Sequence, residues 1–228
     1  MAGWFGRTPA LAVAFLTLSL TGCASWSLWP SADEGPAQRV AGLIERGADG
    51  RWVMRPCGEE HERLLQPTPQ LQELFDDVAQ PGQISMFAEL LVTEEEGRWV
   101  VQRTQRLQTT GRGCMDNSAK HSQWVAFSLD PAWRVDINAQ GLTLDTDDAE
   151  SGRQLATIHE QMPDGAQVFR GVQDQGLELW LYPSGCIDRS TGDYYHLSAT
   201  LVRDGQGLRG CGYEGGQTVP GVGPQAPR

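Results

Sequence analysis

The sequence predicts a mainly β protein: a five-stranded barrel with one helix, followed by a disulfide-stapled antiparallel meander or small barrel. Three observations predict it. Apolar and polar residues alternate with a period of two through most of residues 38–213, turn chemistry recurs at short spacing, and helical spacing of apolar residues occurs in a single stretch.

Residues 38–118 form the first unit. Val40 to Glu45 reads as a strand, the turn Gly47-Ala48-Asp49-Gly50 follows, and Trp52 and Met54 alternate with Arg51, Val53 and Arg55 in a second strand. Glu62 to Leu65 is a short third strand. Thr68-Pro69 then supplies a helix N-cap with proline at the first helical position, and Leu71, Leu74, Phe75 and Val78 fall on one helical face before Pro81-Gly82 ends the helix. Ile84 to Val92 and Arg98 to Arg106 are strands four and five, joined by the acidic turn at 93–97. Five strands with a helix between the third and fourth follow the order of an OB-fold, a small Greek-key barrel.

Residues 119–214 show no helical periodicity. Strands are expected at 123–129, 133–138, 142–146, 154–158, 168–172, 177–182, 196–203 and 208–213, with Asp130-Pro131, Asp164-Gly165 and Asp204-Gly205 among the turns. An antiparallel meander or small barrel is the simplest closure. Trp52, Trp99, Trp124, Trp133 and Trp180 sit in strand patterns and are assigned to the core.

The amino terminus carries an export signal. Arg7, the apolar run Leu11 to Leu20 and the sequence Leu20-Thr21-Gly22-Cys23 resemble the signal peptide and lipobox of bacterial secreted lipoproteins. The run falls short of the roughly 20 residues needed to cross a bilayer. The resemblance implies removal of residues 1–22, a diacylglyceryl group and an acyl chain (palmitate-type) on Cys23, and a lipid-anchored tether at 23–37. Ala24 in place of an aspartate is similar to an outer-membrane sorting signal, implying the periplasmic face of the outer membrane. Trp26 and Trp29 in the tether would rest near the headgroups. Residues 215–228, rich in Gly and Pro, are expected to be disordered.

Two further resemblances cover the folded part. Gly42, the Asp49-Gly50-Arg51-Trp52 turn, Cys57 and the helix followed by Pro81-Gly82 resemble the OB-type domain of the NlpE family of outer-membrane lipoproteins. That family's C-x-x-C motif has no counterpart here. Ala126 to Val135, and the run from Cys186-Ile187-Asp188 through Asp193-Tyr194-Tyr195 to Gly210-Cys211, resemble an uncharacterised family of bacterial envelope proteins distantly similar to HslJ/META domains.

Charge narrows the partners. With 18 basic against 29 acidic side chains and a net charge of −11, the chain lacks the clustered Lys/Arg that nucleic acid or a basic-patch contact with anionic lipid would need. Membrane attachment would then run through the lipid on Cys23. The other four cysteines, Cys57, Cys114, Cys186 and Cys211, read as two disulfides in an oxidising compartment, and four cysteines allow three pairings. Pairing within each unit gives Cys57–Cys114 and Cys186–Cys211.

No constellation names a reaction. Cys57-Gly58-Glu59-Glu60-His61 with Cys114 offers metal-binding chemistry, but a disulfide uses the same thiols. Asp145, Asp147, Asp148 and Glu150 miss the spacing of a calcium loop, which wants Asp or Asn where Ala149 stands and glycine where Glu150 stands. His61, His121, His159 and His196 are scattered, and Ser184 lies in no Gly-x-Ser-x-Gly elbow. Neither catalysis, a metal nor a cofactor is expected. Asp188, Asp193, Tyr194 and Tyr195, in the loop closed by Cys186–Cys211, form a candidate recognition loop. The expected role is a binding or interaction module of the cell envelope, in envelope stress or maintenance, with an envelope protein as partner. The alternative is a carrier holding a small apolar ligand in the C-terminal barrel.

Overall fold

The computed structural model describes residues 1, 36–110, 112–147 and 152–217. Cys23 and the signal peptide, most of the tether, Asp148 and Glu150, and the tail from 218 onward lie outside the described residues. Among the described residues, no helix is long and apolar enough to cross a membrane.

The first sheet begins with β1 (Gln38–Arg46), β2 (Trp52–Pro56) and β3 (Arg63–Gln66). Helix α1 (Pro69–Val78) follows, then β4 (Ser85–Glu95) and β5 (Arg98–Gln108). β1 pairs with β2 and β4, β2 with β3, and β4 with β5, all antiparallel; β3 closes the barrel by running parallel to β5 at Leu65↔Trp99. This is the OB-like five-stranded barrel the element order predicts. Gly42 lets β1 and β2 lie close together, because a Cβ there would lie 2.3 Å from the Arg55 carbonyl oxygen.

Helix α1 closes one end of the barrel. The Thr68 hydroxyl accepts from the Leu71 amide at 3.1 Å, a cap worth about 1 kcal/mol. Leu71, Phe75 and Val78 are its buried face, with Phe75 edge-on to Trp52 at 4.9 Å. Around them Ile44, Met54, Met86, Leu90 and Leu107 complete the first core.

The second sheet comprises β6 (Trp124–Leu129), β7 (Ala132–Asn138), β8 (Gly141–Thr146), β9 (Arg153–Leu155), β10 (Thr157–Gln161), β11 (Gln167–Gly171) and β12 (Glu178–Tyr182). Two short strands, β13 (Cys186–Ile187) and β14 (Tyr194–Tyr195), intervene before β15 (Leu197–Arg203) and β16 (Gln206–Glu214). Nine antiparallel strands in the order β10-β11-β12-β15-β16-β6-β7-β8-β9 form a nearly closed barrel. The stretch expected as one strand at 154–158 is two, broken at Ala156.

Alternation decides what lies inside the second barrel. Trp124, Trp133, Ile137, Leu142, Phe169, Leu179, Leu181 and Leu201 fill it. Trp180 is the exception to the core assignment: Leu179 and Leu181 take the inward positions of β12, so the indole faces outward, donating to Glu178 Oε2 at 2.8 Å. Its neighbour on that face is Tyr182, stacked at 6.1 Å.

The hairpin β13–β14 leaves the second half of the chain and joins the first sheet. Because β3 pairs with only the beginning of β5, the same edge of β5 stays open further along, and β14 covers it at Tyr194↔Leu107 and Tyr195↔Arg106. Both sheets belong to one compact unit. A third apolar cluster, with Val125, Tyr195, Cys211 and Tyr213 at its centre, sits where they meet. The disulfides are Cys57–Cys114 and Cys186–Cys211, with Cα separations of 5.3 and 5.5 Å. Gly215, Gly216 and Gln217, assigned to the disordered tail by composition, are instead tied down by amide hydrogen bonds to Gln123, Ala119 and Ser122 carbonyls.

Candidate functional site

The loop read as a recognition surface turns its four named side chains inward. Asp193 accepts from the Thr109 amide at 2.9 Å and from the Thr109 and Thr110 hydroxyls, and Asp188 accepts from the amides of Ser190 and Thr191. Tyr194 is part of the first barrel's core, while Tyr195 sits edge-on to Phe127 at 4.9 Å. All four residues are under a tenth exposed. Asp193, Tyr194 and Tyr195 fasten the hairpin to the first barrel, and Asp188 braces the turn of the hairpin itself. Burial pushes the Asp193 carboxyl and both tyrosine hydroxyls up from their ordinary values.

The other residues weighed for chemistry stay apart. Cys57 and Cys114 are joined to each other, and His61 is exposed. Ser184 Oγ lies 2.7 Å from Ser198 Oγ on the surface. His159 stacks on Phe169 with ring centroids 4.5 Å apart. Among the described residues, no three His, Cys, Asp or Glu side chains converge as a metal site.

A cleft of about 610 Å³ opens between the two barrels. The first barrel contributes Arg39 from β1, Glu89 from β4, and Arg103 and Gln105 from β5; the second contributes His196 and Glu214. None of these six was singled out from sequence as a site residue. Glu89 left a readable trace, being the only charged residue in the apolar run Met86 to Val92. The rest become visible only when strands distant in sequence are brought together.

Two linked polar clusters build the cleft. In the first, Glu89 receives Arg39 Nε on one carboxylate oxygen and Arg106 Nε on the other, the latter at 2.7 Å. Arg39 also donates to the Glu214 and Gly215 carbonyls, joining the barrels. Arg106, stacked 4.3 Å from the Tyr213 ring centroid, reaches Asp116 at 3.5 Å. In the second cluster, Gln105 Nε2 donates to Glu214 Oε2 at 3.4 Å, and Arg103 Nη2 lies 3.6 Å from Glu214 Oε1. His196 Nδ1 is 3.1 Å from the Gln105 carbonyl, and its Nε2 is 3.7 Å from Glu214 Oε1. Burial alone would raise the Glu214 carboxyl, but His196, Arg103 and Arg39 more than offset this and hold it down at about 2.

Three buried atoms of the second cluster make no hydrogen bond: Gln105 Oε1, His196 Nε2 and Arg103 Nε. Buried polar atoms are nearly always satisfied, so three together make this cluster an exception within the fold. A shallower depression of about 460 Å³, at the barrel mouth near Arg51 and Arg98, lacks this feature, because Arg51 and Arg98 pair with Asp49 and Glu96. No protein-family model, curated protein or solved structure matches the chain.

Proposed function

We propose that the protein is anchored by lipid at Cys23 to the periplasmic face of the outer membrane and acts there by binding, with the inter-barrel cleft as its binding surface. The observation that carries the reading is the cleft itself, about 610 Å³, in which the paired charges of Arg39, Glu89, Arg103 and Glu214 lie beside the apolar Val40, Leu91 and Leu197. Two disulfides fit an oxidising compartment, and the lipobox-like Leu20-Thr21-Gly22-Cys23 supplies the anchor. Ala37 lines the cleft, so the connection to Cys23 starts at its rim. The 14 residues from 24 to 37 can reach no further than about 50 Å even when fully extended, which bounds how far from the lipid a partner could be held. The similarity to NlpE supports a partner belonging to the envelope and a role in its stress response or maintenance. Side chains packed inside the second barrel favour this over a carrier with its ligand in that barrel.

Two measurements test it in cells. A Cys23→Ser variant should lose outer-membrane fractionation and lipid processing; maturation like the parent's refutes the anchor. A photo-crosslinking phenylalanine analogue at Gln217, exposed at the cleft, should capture an envelope component that the same analogue at Glu62 does not. Equal labelling from both positions, or none from Gln217, refutes the cleft as the binding surface.

A further inference from the structure

Resting on that reading of the cleft, we propose that its partner supplies an extended basic peptide segment, which adds as a strand to the free edge of β1 at Gln38–Ala41. The backbone direction along β1 identifies the edge. The Arg46 amide donates to the Ile84 carbonyl on the β4 side, and the Gly47 amide to the Arg51 carbonyl on the β2 side. Bonding alternates along an antiparallel strand, so even-numbered residues of β1 bond toward β4 and odd-numbered ones toward β2. β2 accompanies β1 only from Gly42 onward, with one further bond from the Cys57 amide to the Ala41 carbonyl. The chain then turns away: the Glu59 amide donates to the Pro56 carbonyl, and Gly58 takes the left-handed turn position with a φ of 84°. Among the described residues, the Arg39 amide and carbonyl and the Ala41 amide are thus left with no strand beside them.

The cleft reaches this edge. Ala37, Arg39, Val40 and Ala41 all line it, whereas β5 contributes only Arg103 and Gln105 from its outer face. β5 also lacks a neighbour between Val101 and Thr104, but these two are 3% and 1% exposed, and the Gln105 carbonyl is taken by the His196 amide. A donor and an acceptor at Arg39 and a second donor at Ala41 repeat with the spacing of a strand, which the backbone of another extended chain matches. Leu91, Pro183 and Leu197 offer apolar surface to the side chains such a chain turns into the cleft. Charge sets its sign. Glu59 and Glu60 follow the turn at the Cys57 end of the edge, both exposed and neither in an ion pair among the described residues. Arg39, the cation on the edge itself, is already held by Glu89. With a net charge of −11 behind them, these carboxylates favour a basic segment and repel an acidic one.

Retention on the intact protein, immobilised in a zwitterionic detergent, tests the proposal with three pools of acetylated, amidated hexapeptides. Their central positions are Ala, Leu, Thr or Val; one pool has lysine at both ends, one has glutamate, and the third is the lysine pool N-methylated at its central residues. Mass spectrometry should show members of the lysine pool retained, the glutamate pool about tenfold less so, and the methylated pool lost, because methylation removes the donors a strand needs. Ala41→Pro removes an amide that faces the free edge and not β4, a position where proline is tolerated, and should weaken a retained peptide about fivefold, the loss of one net hydrogen bond. If that variant does not fold, the methylated pool decides on the unaltered protein. In cells, a photo-crosslinking phenylalanine analogue at Gln38 should capture the same component as the one at Gln217. Equal retention of the methylated or the glutamate pool, unchanged affinity in folded Ala41→Pro, or a Gln38 link to a second copy or within the chain itself would each overturn the proposal. Retention of no pool, with crosslinking from Gln217 intact, overturns the peptide segment and leaves the binding function standing. Loss of that crosslinking as well removes both.

Discussion

Glu89 and Arg106 are direct cross-strand partners in β4 and β5, with the Arg106 Nε donating to Glu89 Oε2 at 2.7 Å and each side chain only 8% exposed. Burial works against the Arg106 charge, and Glu89, Tyr213 and Asp116 outweigh it, raising the guanidinium above its ordinary value. Such a pair is expensive to break from one side. Arg106→Met alone should destabilise the oxidised protein by about 3–5 kcal/mol. Adding Glu89→Leu should recover at least half of that, since Arg39 and Asp116 are partly exposed and can turn to water. Urea unfolding of the two single variants and the double variant measures the coupling; additive losses would mean the pair does not act as a unit.

Asp193 anchors the hairpin by accepting from Thr109 and Thr110. Removing the acceptor with Asp193→Ala should cost about 2–3 kcal/mol, because the Thr109 amide loses its partner inside the protein. Asp193→Asn keeps an acceptor and should cost markedly less. Burial raises the folded value of this carboxyl above 3.8, so the parent loses stability as pH climbs from 3.8 through the raised value. Asn does not titrate, and its penalty relative to the parent should shrink across that interval in denaturation curves taken at successive pH values.

Glu214 has the opposite sign. Its folded value near 2 lies below the unfolded 4.5, so its contribution is fully present above pH 4.5 and fades as pH falls through about 2. The stability gap between the parent and Glu214→Gln should follow this course. With 40% of the side chain open to solvent, added salt should narrow the gap. A gap that is constant across the interval would show that Glu214 does not feel His196, Arg103 and Arg39 as the geometry requires.

Two glycines separate the effect of space from that of dihedral. At Gly42 a Cβ would fall 2.3 Å from the Arg55 carbonyl oxygen, so Gly42→Ala should cost about 3 kcal/mol by forcing β1 from β2. Gly50 has a φ of 78° with open space around it, and Gly50→Ala should cost about 1 kcal/mol from backbone strain alone. Thermal unfolding of both variants ranks them; the reverse order would contradict the close approach of β1 and β2 at Gly42.

Most of the fold was legible because its determinants are local. The Thr68-Pro69 cap, the spacing of Leu71, Phe75 and Val78, and turns such as Asp204-Gly205, where φ is 52° and 77°, are each set by neighbours in sequence. Cys57–Cys114 and Cys186–Cys211 follow from pairing by nearness in sequence, although β13 carries Cys186 onto the first sheet and the second bond therefore joins the two sheets. Trp180 was misassigned because its bulk suggested burial, although the period of β12 already placed Leu179 and Leu181 inside. β13 and β14 were missed because two residues each give no period to read; what makes them strands is the uncovered edge of β5. The cleft was hidden for the same reason: Gln105 meets His196 and Glu214 across separations of 91 and 109 residues.

The crossing of β14 onto β5 ties the order of synthesis to the order of folding. A nascent chain that has emerged only as far as Gln108 can assemble β1 to β5, but the edge at Arg106 and Leu107 has no cover until Tyr194 and Tyr195 arrive. Unpaired edges recruit other chains. The amino-terminal half, produced by itself, should therefore self-associate through that edge, and the two halves should not be separable into independently soluble pieces.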